Sequence, residues 1–324
     1  MKLIIQIPCY NEESTLPGTY RDLPKQIGGI DEIETLVIDD GSTDRTVEAA
    51  RNLGVDHIVK FPNNRGLAHA FKAGLDACLR LGADIIVNTD GDNQYDAADI
   101  PALVAPILEG QAEIVIGDRQ IDTIKHFSNT KKRFQKIGSG IVRKASQTII
   151  EDTTSGFRAY SRDAAMKINV ISDYTYTLET IIDAGLKKMS IKDVKIHTNE
   201  KLRESRLFTN MFGYVRKSAG TIVRTYVSKS PLKAFLPIAF IIFLAGLAIA
   251  IRYLYFYSIG EGGGHVQSLL LAAILFISAF LMAMFALLAD TLSASRKVSD
   301  EILYRIKKME YDLLNKNGKN AKKQ

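Results

Sequence analysis

The chain has 324 residues, 46% of them hydrophobic and 24% charged, with a formal net charge of +6 at pH 7. That apolar content fills a sizeable core and excludes a disordered chain, and the length allows one large domain plus further segments. The positive balance suits phosphates or an anionic membrane surface and argues against nucleic acid, because the basic residues form no single aromatic-laced stripe.

The chain enters a strand at once, from Lys2 to Ile7, with no signal-peptide pattern ahead of it. Short apolar runs at residues 2 to 7, 35 to 39, 57 to 60, 84 to 89 and 113 to 116 predict strands. Helical patterns lie between them, at Asp44 to Leu53, Leu67 to Leu81 and Ile100 to Leu108. Strand alternating with helix predicts an α/β fold, a mostly parallel, doubly wound sheet with helices on both faces. Right-handed crossovers then bring the C-terminal ends of the parallel strands to one edge. Pro8-Cys9-Tyr10-Asn11-Glu12, Asp39 to Asp44 and Asp90 to Gln94 gather there. Cys9 and Cys78 stand far apart with no C-x-x-C, which indicates neither zinc nor a disulfide scaffold.

The run Asp84 to Thr89 ends in Asp90-Gly91-Asp92-Asn93-Gln94. Alternate residues leaving a strand point the same way, so Asp90 and Asp92 can converge on one small volume. Two hard oxygen ligands at such a strand end suit Mg²⁺ or Mn²⁺ carried in on a phosphate, and this edge is where open α/β sheets bind ligands. A plain turn after a strand is the competing reading. An EF-hand loop fails, since Tyr95 stands where glycine is needed and Pro101 where the bidentate Glu belongs. A dinucleotide fingerprint fails at Gly138-Ser139-Gly140, which has Arg143 at the third glycine position.

At these three stretches the chain resembles the inverting family 2 glycosyltransferases of GT-A fold: Ile7-Pro8-Cys9-Tyr10-Asn11-Glu12-Glu13, Val37 to Asp44, and Asp90-Gly91-Asp92. The resemblance implies that Pro8, Tyr10, Glu12 and Asp40 hold the base and ribose of a nucleotide sugar. It puts Asp90 near the ribose or metal, and Asp92 with Gln94 on the metal at the diphosphate. Arg119 then closes a strand at the same edge, and Lys131, Lys132 and Arg133 follow. The stretch Asp152 to Tyr160, with Ser155 and Arg158, reads as a substrate-facing loop. Its Thr154-Ser155-Gly156-Phe157-Arg158-Ala159, and Arg203-Glu204-Ser205-Arg206, are similar to motifs of the polyprenyl-phosphate branch of that family, such as dolichyl-phosphate mannose synthases and two-span bacterial glucosyl-carrier synthases.

Phe235 to Ile251 and Ser268 to Ala289 carry no charge and approach the ~20 residues that a bilayer requires. The link Gly260 to His265 has no Lys or Arg, whereas basic residues precede the first run and follow the second, so both termini are expected on the cytoplasmic side. The expected organisation is a catalytic domain over 1–206, juxtamembrane amphipathic helices over 207–233, spans over 234–258 and 266–290, and a cytoplasmic helical tail over 291–324. Phe208, Met211, Phe212 and Val215 have the spacing of a helix lying in the membrane interface, or of an ordinary packed helix. Val298, Ile302, Ile306, Met309 and Leu313 form a stripe near heptad spacing, fit either for a homo-oligomer contact or for docking on the catalytic domain. Residues 315 to 324 are polar and expected to be disordered.

The acceptor follows from what is missing. Transfer to a hydroxyl needs a general base, and the processive polysaccharide synthases of the family carry a Q-x-x-R-W motif; this chain has no Trp. A phosphate acceptor brings its own anionic nucleophile and needs cationic clamps. Arg119, Arg133, Arg158, Arg203 and Arg206 supply them, with Ser155 beside the acceptor and Asp92 serving the departing diphosphate. The expected enzyme moves one sugar from a nucleotide-diphosphate donor (UDP-glucose or GDP-mannose type) to undecaprenyl or dolichyl phosphate at the lipid bilayer. The alternatives are a transferase acting on a lipid or glycan hydroxyl, and a membrane protein that binds nucleotide sugar without turnover.

Overall fold

β1 (Lys2–Cys9) is buried from Leu3 to Cys9, as befits a strand covered on both faces inside a parallel sheet. It pairs in parallel with β2 (Glu32–Asp39) and with β4 (Ile85–Asn88), and β2 pairs in parallel with β3 (His57–Lys60). Crossover helices α1 (Leu16–Asp22), α2 (Thr46–Leu53) and α3 (Leu67–Arg80) join these strands, and α4 (Ile100–Leu108) leads to β5 (Ile114–Asp118). In this computed structural model the described residues are 1–120, 138–143, 146, 148–171, 176–199 and 211–321, with only the backbone described at 211–218 and 315–321.

Two further strands escape the sequence pattern. β6 (Arg158–Ser161) inserts antiparallel between β4 and β5, and β7 (Ile191–Lys195) pairs in parallel with β5, giving the order β3-β2-β1-β4-β6-β5-β7. Residues 158 to 160, expected in a loop, therefore belong to the sheet interior; only 152 to 157 are loop. Four residues starting with Arg carry too little propensity to reveal a strand that its neighbours impose. The reversal has a geometric consequence. Because β6 runs against β4 and β5, its N-terminal end lies at the edge where β1, β2, β4 and β5 end. The loop before β6 thus joins the loops after the other four.

The chain divides into two units, Met1–Ile222 with Glu301–Gln324, and Val223–Asp300. The first unit adds α5 (Arg162–Lys167) and α6 (Thr177–Leu186). α7 (Met211–Lys229) and α9 (Val266–Ala321) run from one unit into the other. Phe208 lies outside the described residues, as do the side chains of Met211, Phe212 and Val215. At the end of α9, Tyr304 donates to Asp163 at 2.6 Å, Tyr311 donates to Asp76 at 2.5 Å, and Glu310 pairs with Arg80 at 2.8 Å. The tail therefore docks on α3 and α5 through an aromatic face. The apolar stripe Ile302, Ile306, Met309 and Leu313 is left exposed.

In the second unit, α8 (Pro231–Ser258) and the first half of α9 are long and apolar enough to cross a membrane, and most of their large apolar side chains are exposed. Small residues recur at heptad spacing on their buried sides: Ala239 and Gly246 on α8, and Ala272, Ala279, Ala286 and Ser293 on α9. A Cβ at Gly246 would stand 3.1 Å from the Leu275 side chain. Small residues of this kind let helices approach closely where water supplies no hydrophobic drive.

Candidate active site

The loops after β1 and β2 are fastened to each other by side chains bonding to backbone. Asn11, in the left-handed region at φ 55°, accepts from Thr43 N at 2.7 Å, while its own N donates to the Ser42 hydroxyl at 2.9 Å. Glu12 N donates to the Thr46 hydroxyl at 2.8 Å, and the buried Glu12 carboxylate accepts from Thr15 at 2.5 Å. Pro8 is buried at the end of β1, and Tyr10 beside it is 38% exposed. Asp40 spends both carboxylate oxygens on backbone amides, accepting from Arg65 N at 2.8 Å and Gly66 N at 2.9 Å. Those two amides form the turn just ahead of α3, whose N-cap is Gly66, so Asp40 fastens that turn to the end of β2. Asp39 beneath it is fully buried. Its Oδ1 accepts from Ser42 N at 3.2 Å, and its Oδ2 has no hydrogen-bond partner among the described residues.

After β4 the chain turns through the carboxylate loop. Asp92 Oδ1 accepts from Gln94 N at 3.2 Å, an Asx turn that holds the loop. From the other side Asn199 N donates to the Gln94 carbonyl at 2.9 Å, and the Asn199 side chain donates to the Asn93 carbonyl at 3.1 Å. Asp90 and Asp92 are both half-buried. Asp90 rests on Gly156, where a Cβ would stand 3.2 and 3.3 Å from its two carboxylate oxygens. Any larger residue there would have to push the Asp90 carboxylate and the Tyr176 hydroxyl aside by a few tenths of an ångström.

Arg119 follows β5 and forms a two-pronged pair with Asp152, Nε at 2.6 Å and Nη2 at 2.9 Å, with Nη2 also donating to Thr154 at 2.8 Å. Burial works against both charges. The pairing outweighs it, holding the Asp152 carboxyl below and the Arg119 guanidinium above their ordinary ranges. Asp90 lies close enough to add to the stabilisation of Arg119. Cys9 faces Gly91 and is fully buried; that burial, followed by the fields of Glu12, Asp39 and Asp90, pushes its thiol well up and keeps it neutral. This excludes a thiolate nucleophile.

Two expected acceptor contacts are corrected. Ser155 is fully buried, and its hydroxyl accepts from Phe157 N at 3.3 Å, within its own loop. Arg158 is fully buried too. Its guanidinium donates to the carbonyls of Ser155 at 2.7 Å, Thr153 at 3.0 Å and Thr177 at 2.9 Å, and to the Thr180 hydroxyl at 2.6 Å. Strand β6 points this side chain into the protein, where it braces the 152–157 loop from behind. Arg133, Arg203 and Arg206 lie outside the described residues. Sequence reasoning passed over Asp152 and Asn199, whose roles rest on partners 33 and more than 100 residues away.

No group of three or more His, Cys, Asp or Glu suited to a metal occurs among the described residues. The Asp90, Asp92 and Gln94 loop is thus a short set of hard oxygens, fit for Mg²⁺ or Mn²⁺ when phosphate oxygens and water complete the coordination.

In fold, the chain is similar to glucosyl-3-phosphoglycerate synthase from Mycobacterium tuberculosis, solved in complex with Mn²⁺, UDP and glucosyl-3-phosphoglycerate. The TM-score is 0.54 at 19% identity, over 70% of this chain and 79% of that one. In sequence it is 30% identical to the UDP-N-acetylglucosamine--dolichyl-phosphate N-acetylglucosaminyltransferase of Methanococcus voltae, over 59% of this chain and 83% of the relative. It is 27% identical to glycosyltransferase AglJ of Haloferax volcanii, over 94% of this chain and 97% of the relative. It is also 27% identical to the undecaprenyl-phosphate mannosyltransferase of Micrococcus luteus, over 66% and 90%. The sequence model described as glycosyl transferase family 2 matches residues 4–168, the span that holds all three interlocked loops, and the chain belongs to that family and is a glycosyltransferase.

Proposed function

We propose that the protein transfers one sugar, with inversion and with a divalent metal, from a nucleotide-diphosphate donor to a polyprenyl phosphate, making a lipid-linked monosaccharide. The observation that carries this reading is the placement of the Asp90 to Gln94 loop opposite a wall built on the Arg119–Asp152 pair, in a chain with two membrane-length helices. Relatives named for dolichyl-phosphate and undecaprenyl-phosphate sugar transfer support the acceptor class.

Tyr10, exposed at the mouth, and Glu12 and Asp40 behind it form the nucleotide side, and the unpartnered Asp39 oxygen is an acceptor for a donor N–H of the base. Asp90, Asp92 and Gln94 hold the metal, which when bound neutralises the charge of the departing diphosphate. Arg119 brings positive charge to the same space without leaving its carboxylate partner. The chain leaves the described residues after Asn199, bonded to Gln94; Arg203 comes four residues later and Arg206 seven. These two arginines, with Arg133, clamp the acceptor phosphate. The acceptor oxygen, already anionic, attacks the anomeric carbon on the face opposite the diphosphate, which inverts the configuration. Both termini and the catalytic unit lie on the cytoplasmic side, and the exposed stripe from Ile302 to Leu313 joins copies of the chain.

The test is to incubate the purified full-length protein with Mn²⁺ or Mg²⁺, a panel of nucleotide sugars, and either a polyprenyl phosphate or the same polyprenol without phosphate. Transfer to the phosphate alone is expected, with kcat/KM for the acceptor rising through pH ~6 as the phosphate becomes a dianion. Efficient transfer to the free alcohol would overturn the acceptor chemistry.

A further inference from the structure

Beneath the carboxylate loop runs a line of buried amides that the reaction above does not use. Gln6 of β1 and Asn88 of β4 are register partners and both fully buried. Gln6 Nε2 donates to Asn88 Oδ1 at 2.8 Å, and Asn88 Nδ2 donates to the Gly156 carbonyl and to the Tyr176 hydroxyl, each at 2.9 Å. Tyr176 in turn donates to the Gly156 carbonyl at 3.3 Å, and Gly156 N donates to the Tyr95 hydroxyl at 2.9 Å. Chemistry settles the orientation of the amide. A carbonyl only accepts, so Asn88 must present its NH₂ to Gly156, which leaves its oxygen for Gln6. Asp would set an oxygen against that carbonyl, and Leu would donate nothing.

Such a network is costly to bury, and an apolar pair would fill the same space between two parallel strands more cheaply. What the amides achieve is a grip on one peptide. Gly156 is held at its carbonyl by Asn88 and Tyr176 and at its N–H by Tyr95, whose ring stacks on Phe157 at 5.0 Å. The β4–β6 ladder stops at the Asn88 and Arg158 register pair, so the Asn88 side chain continues the pairing where the backbone no longer can. The gripped peptide lies directly against the Asp90 carboxylate, two residues beyond Asn88.

We propose that Asn88, with Tyr176 as its accessory, is a positioning residue: it fixes the Gly156 peptide under Asp90 and thereby ties the carboxylate loop to the Thr153–Gly156 wall. This rests on the reading of Asp90 as part of the donor and metal side.

The experiment compares full-length wild type with Tyr176→Phe and Asn88→Asp. The readouts are kcat, donor KM, melting temperature and Mn²⁺ affinity, the last by electron paramagnetic resonance with the nucleoside diphosphate of the sugar that wild type transfers. Phe keeps the ring stacked on Phe71 at 3.8 Å. Tyr176→Phe should therefore fold and melt only a few degrees lower, for the buried hydrogen bonds lost, while kcat falls about tenfold and Mn²⁺ affinity weakens severalfold, with donor KM little changed. Asn88→Asp should lose about 10²-fold in kcat and weaken Mn²⁺ affinity severalfold, because a carboxylate cannot donate to the Gly156 carbonyl. Variants that melt lower but keep wild-type kcat and Mn²⁺ affinity would overturn the inference and leave the amides as core. If Asn88→Asp does not fold, unchanged kcat in Tyr176→Phe overturns it alone. A wild type that transfers no sugar would instead sink the functional reading, and this inference with it.

Discussion

Replacing Arg158 by Met separates a brace from an acceptor clamp. The side chain has no solvent exposure, and its guanidinium makes four hydrogen bonds of 2.6 to 3.0 Å, three of them to carbonyls of Thr153, Ser155 and Thr177. Met fills much of the volume but donates nothing. Each carbonyl left buried without a partner costs roughly 1–3 kcal/mol, and relief of the desolvated charge returns part of the sum. The net loss is about 3–5 kcal/mol, the range for breaking a buried charged interaction. For a unit of this size that lowers the melting temperature by roughly 10 °C. The chain has no Trp, so circular dichroism rather than indole fluorescence follows the melt. Arg158→Lys, keeping a charge but fewer donors, should fall between. Activity should drop through kcat as the 152–157 loop loosens. An unchanged melting temperature with a raised acceptor KM would refute this reasoning and return Arg158 to the substrate.

Asp92→Asn should fold normally and lose about 10²-fold or more in turnover, as expected when a stabiliser of the leaving group is removed; near-normal rates at saturating Mn²⁺ would reduce Asp92 to a turn residue. Stripping divalent metal from wild type should abolish transfer reversibly, tested by chelation and re-addition. The Arg119–Asp152 pair sets an acid limit. Because the folded Asp152 carboxyl sits below its unfolded value of about 3.9, its contribution is complete above about pH 4 and is lost as pH falls through the lowered value. The gap in melting temperature between wild type and Arg119→Met should thus narrow in acid, and a gap independent of pH would refute the pairing. Ile306→Glu with Met309→Glu should lower the particle mass by light scattering, since both side chains are more than half exposed; unchanged mass would show that the stripe joins no copies.

The parallel half of the fold and the three loops at its edge were legible in local pattern. A buried parallel strand announces itself as an Ile and Val run, and Asp90, Asp92 and the Asn11 loop stand where such runs stop. The two membrane-length helices were equally plain, because length without charge is itself the signal. Tertiary structure alone decided the other wall. β6 is four residues long and begins with Arg, so nothing local marks it as an interior strand, yet its reversed direction turns Arg158 inward and delivers Gly156 to Asp90. Asp152 for Arg119, Tyr176 for Asn88 and Asp76 for Tyr311 are partners 33, 88 and 235 residues apart. Spacing along a chain reports which side chains share a helix face or a strand end. It carries no record of which buried polar groups must find one another once water is gone, and that pairing is what turns Arg158 inward to hold the wall.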